Sequence, residues 1–114
     1  MNADAALDAF DALSQRTRLE TLRLLVRAGE AGLAAGDVAR ALAVPHNTMS
    51  SHLATLTAAG LARSERRGRT ILYRARYDTL RDLIQFLMHD CCAGVPEICD
   101  APDAAVACLK GECV

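Results

Sequence analysis

Five cysteines, Cys91, Cys92, Cys99, Cys108 and Cys113, are the only ones in the chain, all lie after residue 90, and two are adjacent. Clustered thiols of odd number fit metal binding or redox sensing better than a disulfide framework, provided the compartment is reducing. A soft, thiophilic ligand or an oxidant is therefore expected to be read at the C-terminal end. Residues before Cys91 pattern as a compact helical domain with a basic hairpin, so the thiols read as an input attached to a separate output.

Charge points to that output. The net charge of −1 hides a partition along the chain. Arg63, Arg66, Arg67, Arg69, Arg74, Arg76 and Arg81 face only Glu65 and Asp78 in one short segment, whereas beyond it Lys110 stands alone among acids. Concentrated positive charge is the local footprint of nucleic-acid binding even in a slightly acidic protein. At 114 residues and 52% hydrophobic, one domain is expected, small enough to gain from dimerisation. The start, Met1-Asn2-Ala3-Asp4, has no basic leader region, and no apolar run approaches the roughly 18 residues of a membrane span. A cytoplasmic protein with no membrane partner is expected.

The elements that must position these groups follow from periodicity. Leu7, Phe10 and Leu13 repeat at helical spacing, and Leu19, Leu22, Leu25 and Val26 form a second stripe after the polar break Ser14-Gln15. Val38, Ala39 and Leu42 predict a short third helix ending before Pro45. Asn47 is the expected cap of a fourth helix, with Met49, Leu53, Leu56 and Ala59 buried and Gly60 as the stop. Leu61 to Glu65 and Thr70 to Ala75 read as strands around the tip Arg66-Arg67-Gly68-Arg69, and a last helix is expected over about 78–90, with Leu80, Leu83, Ile84, Leu87 and Met88 on one face. The order is that of a winged helix-turn-helix, mainly α with a small β-hairpin (α-α-α-α-β-β-α). A DNA-binding and dimerisation domain is expected over 1–90, followed by a cysteine-rich inducer-binding tail over 91–114.

Burial of Met49, Leu53 and Leu56 would leave Asn47, Thr48, Ser51 and Thr55 pointing outward, with Ser50 and His52 at the edges and His46 at the start. Short amide and hydroxyl side chains let a helix lie deep in the major groove of double-stranded DNA. Arg66, Arg67 and Arg69 would reach flanking phosphates or the minor groove. His46 and His52 read as DNA-facing or packing residues, and His89 as a cation at a helix C-terminus.

The stretch from Ser14 to Leu19 with Leu22-Arg23-Leu24-Leu25, the run Pro45 to Leu53 with Leu56 and Ala59-Gly60-Leu61, and Arg67-Gly68-Arg69 with Tyr73 resemble the ArsR/SmtB family of bacterial winged-helix repressors. The resemblance covers roughly residues 5–90. It implies a homodimer joined through the first and last helices, a recognition helix over about 47–59, and repression of an operon that handles the sensed ion. Many arsenic-sensing members carry a cysteine pair before the recognition helix, yet Gly36 to Leu42 has none, and the zinc-type site needs partners that His89 alone does not supply. Cys91 and Cys92, with Cys99 beyond Gly94 and Pro96, instead resemble the C-terminal arsenic sites of a subset of the family. The implied inducer is As(III) as arsenite, with Sb(III) or an organoarsenical as alternatives; the inorganic ions prefer three thiolates in a pyramid, and the thiols, with pKa near about 8.5, would release protons on binding.

Alternatives remain open from the residues. A disulfide or polysulfide switch, or zinc, cadmium or lead on four thiolates with Cys108 and Cys113, would keep the same fold. A thiol arsenic carrier would leave the basic hairpin without a purpose. No enzyme is expected: Cys91-Cys92 lacks C-x-x-C spacing at a helix N-terminus, and there is no Gly-rich phosphate loop or Ser/His/Asp set. Neither an organic cofactor nor a small-molecule substrate is implied.

Overall fold

The computed structural model describes the backbone of residues 1–91 and the side chains of residues 1–88. In chain order come α1 (Ala3–Leu13), α2 (Arg16–Ala28), a 3-10 turn (Gly29–Ala31), β1 (Leu33–Ala34), α3 (Ala35–Leu42), α4 (His46–Ala58), β2 (Ala62–Arg67), β3 (Thr70–Ala75), α5 (Tyr77–Gln85) and a π-helical extension (Phe86–Cys91). No described helix is long and apolar enough to cross a membrane.

Asn2 caps α1, its Oδ1 accepting the Ala5 N–H at 2.8 Å, and Asp4 in the first turn complements the helix dipole. The buried face of α1 is Ala6, Ala9 and Ala12, whose small side chains permit close approach to α2 and α4. Of the expected stripe Leu7, Phe10 and Leu13, Leu13 packs against the core, while Leu7 and Phe10 remain exposed at 64% and 40%. The second stripe divides likewise: Leu22 and Leu25 are buried, and Leu19 and Val26 face out.

The break at Ser14-Gln15 is closed from both sides. Gln15 accepts the Arg18 N–H at 2.8 Å and so caps α2, while the Arg18 Nε donates to the Ala12 carbonyl at 2.6 Å and satisfies the end of α1.

Between α3 and α4 the chain reverses over Ala43, Val44 and Pro45. Ala43 adopts the left-handed conformation (φ 54°, ψ 47°), and the Val44 N–H reaches back to the Ala39 carbonyl at 2.9 Å. Pro45, not Asn47, occupies the cap position of α4. Its φ of −56° is preset by the ring, and its carbonyl accepts the Met49 N–H at 2.9 Å, so helical bonding begins before Asn47 can act as a cap.

β1, β3 and β2 form one antiparallel sheet in that order. β1 is too short for alternation to reveal, and it exists because Gly32 lets the chain pass against β3: a Cβ there would lie 2.9 Å from the Tyr73 carbonyl oxygen. α5 starts one residue before the expected Asp78 and gives way at Phe86 to π geometry. Its expected single apolar face is split, with Leu83 buried and Ile84 and Leu87 exposed. The Tyr77 hydroxyl donates to the Val26 carbonyl at 2.8 Å, tying the start of α5 to the end of α2.

The core is built on α4. Met49, Leu53 and Leu56 are fully buried with Leu25, Val38 and Leu61, and α4 packs on α1, α2, α3 and β2.

Ala43→Gly removes a Cβ from a left-handed residue, a penalty of about 1–2 kcal/mol, against an unfolded-state entropy cost of about 0.4–1 kcal/mol. The substitution is expected to raise unfolding stability by about 0.5–1 kcal/mol in urea titration; a lowered midpoint at unchanged m-value would contradict this turn geometry.

Candidate nucleic-acid interface

Once Met49, Leu53 and Leu56 are committed inward, the helical repeat decides what α4 offers to solvent. His46, Asn47, Thr48 and Ser51 are exposed, and Ser50, His52 and Thr55 are half-buried. The Thr55 hydroxyl donates to the Ser51 carbonyl at 3.1 Å, so its proton is used within the helix. No side chain caps the first turn of α4, and its leading N–H groups remain available to an acceptor.

The hairpin tip is a two-residue turn. Arg67 pairs with Thr70, leaving Gly68 and Arg69 between them. Gly68 has φ 63° while Arg69 does not enter positive φ, the pattern of a type II′ turn that matches strand twist.

The register separates the three arginines expected to act together. Arg66 lies opposite Ile71, on the sheet face shared with Ser64 and Tyr73; Arg67 lies opposite Thr70, on the face shared with Glu65. The Arg66 Nε folds over the turn to the Gly68 carbonyl at 3.3 Å, and the Arg67 Nε donates to Glu65 at 3.1 Å. Among the described residues Arg69 has no such partner.

His46, Ser50 and Arg69 do converge. With Thr70, Ile71 and Tyr73 they line a groove of about 290 Å³ between the start of α4 and the hairpin, floored by Ala34, Ala35 and Gly36. The groove has small apolar residues in its lining, with one guanidinium, one imidazole and the hydroxyls of Ser50, Thr70 and Tyr73. This arrangement suits a sugar-phosphate strand passing between helix and hairpin.

Arg74 is the residue the sequence did not single out. It is buried, donates from Nε to the Glu30 carbonyl at 2.7 Å, and pairs with Glu65 at 2.8 Å. The hydrogen bond from Arg74, followed by the charge of Arg67, holds the Glu65 carboxyl below the usual carboxylate range. Nothing in local sequence signals a contact between Arg74 and Glu30.

The Cys91 side chain and residues Cys92 and Cys99 lie outside the described residues, as do Cys108, Cys113 and the His89 side chain. Among the described residues no three His, Cys, Asp or Glu side chains gather as a metal site.

Residues 13–65 match a helix-turn-helix domain family, a span that includes α2, α3 and α4. An ArsR-like transcriptional regulator from Rhodococcus sp. RHA1 is 31% identical, with 93% of this chain and 92% of that one covered and a TM-score of 0.71. NolR from Sinorhizobium fredii is 26% identical over 75% of this chain and 83% of its own, with a TM-score of 0.61. A homodimeric winged helix-turn-helix DNA-binding domain from Mycobacterium bovis, described as a possible ArsR-family regulator, is 25% identical over 81% of this chain and 83% of that one, with a TM-score of 0.63. None of the curated proteins compared with the chain is similar enough in sequence to match. Near-complete mutual coverage at that first identity extends the likeness from the helix-turn-helix to the hairpin and last helix, and the chain belongs to the ArsR family of winged-helix DNA-binding transcriptional regulators, which are not enzymes.

Proposed function

We propose that this regulator is a homodimeric repressor that sets two copies of α4 into successive major grooves of its operator and is released when trivalent arsenic binds Cys91, Cys92 and Cys99. The observation that carries the DNA half is the outward set Asn47, Thr48 and Ser51 on a helix anchored by fully buried residues, with Arg69 across the groove from it. His46, Ser50, His52 and Thr55 extend this set along the helix. Arg69 supplies the phosphate contact nearest α4, and Arg66 and Arg67 exchange their intramolecular bonds for phosphates on either side of the tip.

Dimerisation is supported by apolar residues that the single chain leaves uncovered. Leu7 and Phe10 on α1, Ile84 on α5 and Leu87 just beyond it are 64%, 40%, 43% and 40% exposed. Joined into one contiguous patch, such residues would mark an interaction site. α1 and α5 are the helices not needed for the turn or the hairpin, and the relative from Mycobacterium bovis is a homodimer.

The inducer half rests on donor chemistry. Arsenite and antimonite keep a lone pair and take three thiolates in a pyramid, so three cysteines suffice where tetrahedral zinc needs four ligands. Cys91 ends the π-helical extension, on the same C-terminal segment as Ile84 and Leu87 and beyond both. Ligation there acts at the edge of the dimer face, where a small displacement changes the spacing of the two α4 helices. A coupling of about 1–3 kcal/mol lowers operator affinity by about 5- to 150-fold. Thiolate formation releases protons, so induction weakens as pH falls.

Phe10→Glu places a charge on the uncovered face of α1. It is expected to yield monomers in sedimentation analysis and at least a tenfold loss of operator affinity; an intact dimer would move the interface elsewhere.

Anisotropy of the reduced protein on a duplex from upstream of its own gene tests the inducer. Stoichiometric arsenite should release it. Cys91→Ser, Cys92→Ser and Cys99→Ser should each retain DNA binding and lose release. Full release in all three variants would refute the ligand set; release by zinc alone or by oxidant alone would assign the thiols to metal or redox chemistry, and absence of DNA binding would overturn the reading of α4.

A further inference from the structure

Arg74 is only 8% exposed, and it is the buried arginine among the described residues. A buried guanidinium is tolerated only when its donors are matched. The match does not come from directly across the ladder: its cross-strand neighbour is Arg63, a like charge that disfavours this position on its own. The guanidinium instead spans two elements. Nε donates to the Glu30 carbonyl in the 3-10 turn after α2, and Nη1 reaches the Glu65 carboxylate on β2.

The hairpin projects from the helical body, and β1 holds it only at Leu72 and Tyr73. Arg74, next along β3, adds a brace between the base of the hairpin and the end of α2, and through Glu65 it also joins β3 to β2. The angle of the hairpin sets the separation between Arg69 and the start of α4, which face each other across the groove. Arginine suits this work because its planar fork bonds two acceptors in different directions, whereas lysine offers one nitrogen on a flexible stem.

We propose that Arg74 is a positioning residue for DNA binding: clamped between the Glu30 carbonyl and the Glu65 carboxylate, it holds the hairpin so that Arg69 meets the DNA backbone while α4 occupies the major groove. The inference rests on the reading of α4 and the hairpin as the DNA-binding surface. Arg74 itself, buried on the Glu65 face of the sheet, acts through Arg69 and not by touching DNA.

A double-mutant cycle on the reduced protein and the upstream duplex tests it, with Arg69→Ala made in the wild type, in Arg74→Met and in Arg74→Lys. Arg74→Lys keeps the charge and the aliphatic stem, so it carries the comparison if Arg74→Met does not fold. In the wild type, Arg69→Ala is expected to weaken binding roughly fivefold or more and to reduce the salt slope by about one. In either Arg74 background the same change should cost less than about twofold and leave the already reduced slope where it is. An equal cost of Arg69→Ala in all backgrounds would overturn the positioning role and leave Arg74 a matter of stability alone. Were Arg69→Ala without effect in the wild type, the hairpin reading would fail first and this inference with it.

Discussion

Burial of Met49, Leu53 and Leu56 is the constraint on which the rest of the molecule depends. These three residues draw α1, α2, α3 and β2 around one helix, and each neighbour is adapted to that approach. α1 presents alanines, so the close packing uses little volume and leaves its larger side chains outside. α3 contributes Val38 and Ala39 and then reverses through a left-handed Ala43, a strained conformation that the packing on either side sustains. Large-to-small changes within this cluster typically cost about 2–5 kcal/mol, a large part of the stability of a domain of this size.

The same burial creates the surface proposed to bind DNA. A helix with one face fully committed must offer the opposite face to solvent, and here that face carries short hydrogen-bonding groups without bulky or acidic side chains. The sheet then decides how far the hairpin stands from it. Pairing of β1 with β3 brings Ala34 to Leu72 and Leu33 to Tyr73, which closes the floor of the groove and sets Arg69 opposite His46 and Ser50. Charge alone does not describe the tip: Glu65 and the Gly68 carbonyl hold Arg67 and Arg66 in the free protein, so the phosphate contacts proposed for them would exchange partners. Exposed exchanges of this kind change net free energy little and alter salt dependence more.

Much of this was legible in sequence, and the failures have physical causes. Periodicity located the long helices and both strands of the hairpin, and the inward set of α4 identified its outward set. Periodicity shows which residues share a face but not what covers them: Leu7 and Phe10 share a stripe with Leu13 yet stay exposed, while the face that packs within the chain is alanine. Asn47 has a good capping side chain, but Pro45 begins the helical geometry two residues earlier. β1 is two residues long and exists through its pairing with β3, and the bond from Arg74 to Glu30 spans 44 positions, so neither leaves a local pattern. The register that sends Arg66 and Arg67 to opposite faces follows from the two-residue turn and was not read from the charge run. The thiol ligands and the division at residue 91 were drawn from spacing and resemblance, and the tail lies outside the described residues.

The proposed function depends on two relations, α4 to the hairpin within a copy and α4 to α4 between two copies. Hydroxyl-radical footprinting of the reduced protein on its upstream duplex addresses both together. The account predicts two equivalent protected half-sites on one face of the DNA, centred about one helical turn, 10–10.5 base pairs, or a multiple of it apart, with weaker protection on either side where the hairpins lie. A single protected half-site bound by a monomer, or protection without helical periodicity, would contradict it.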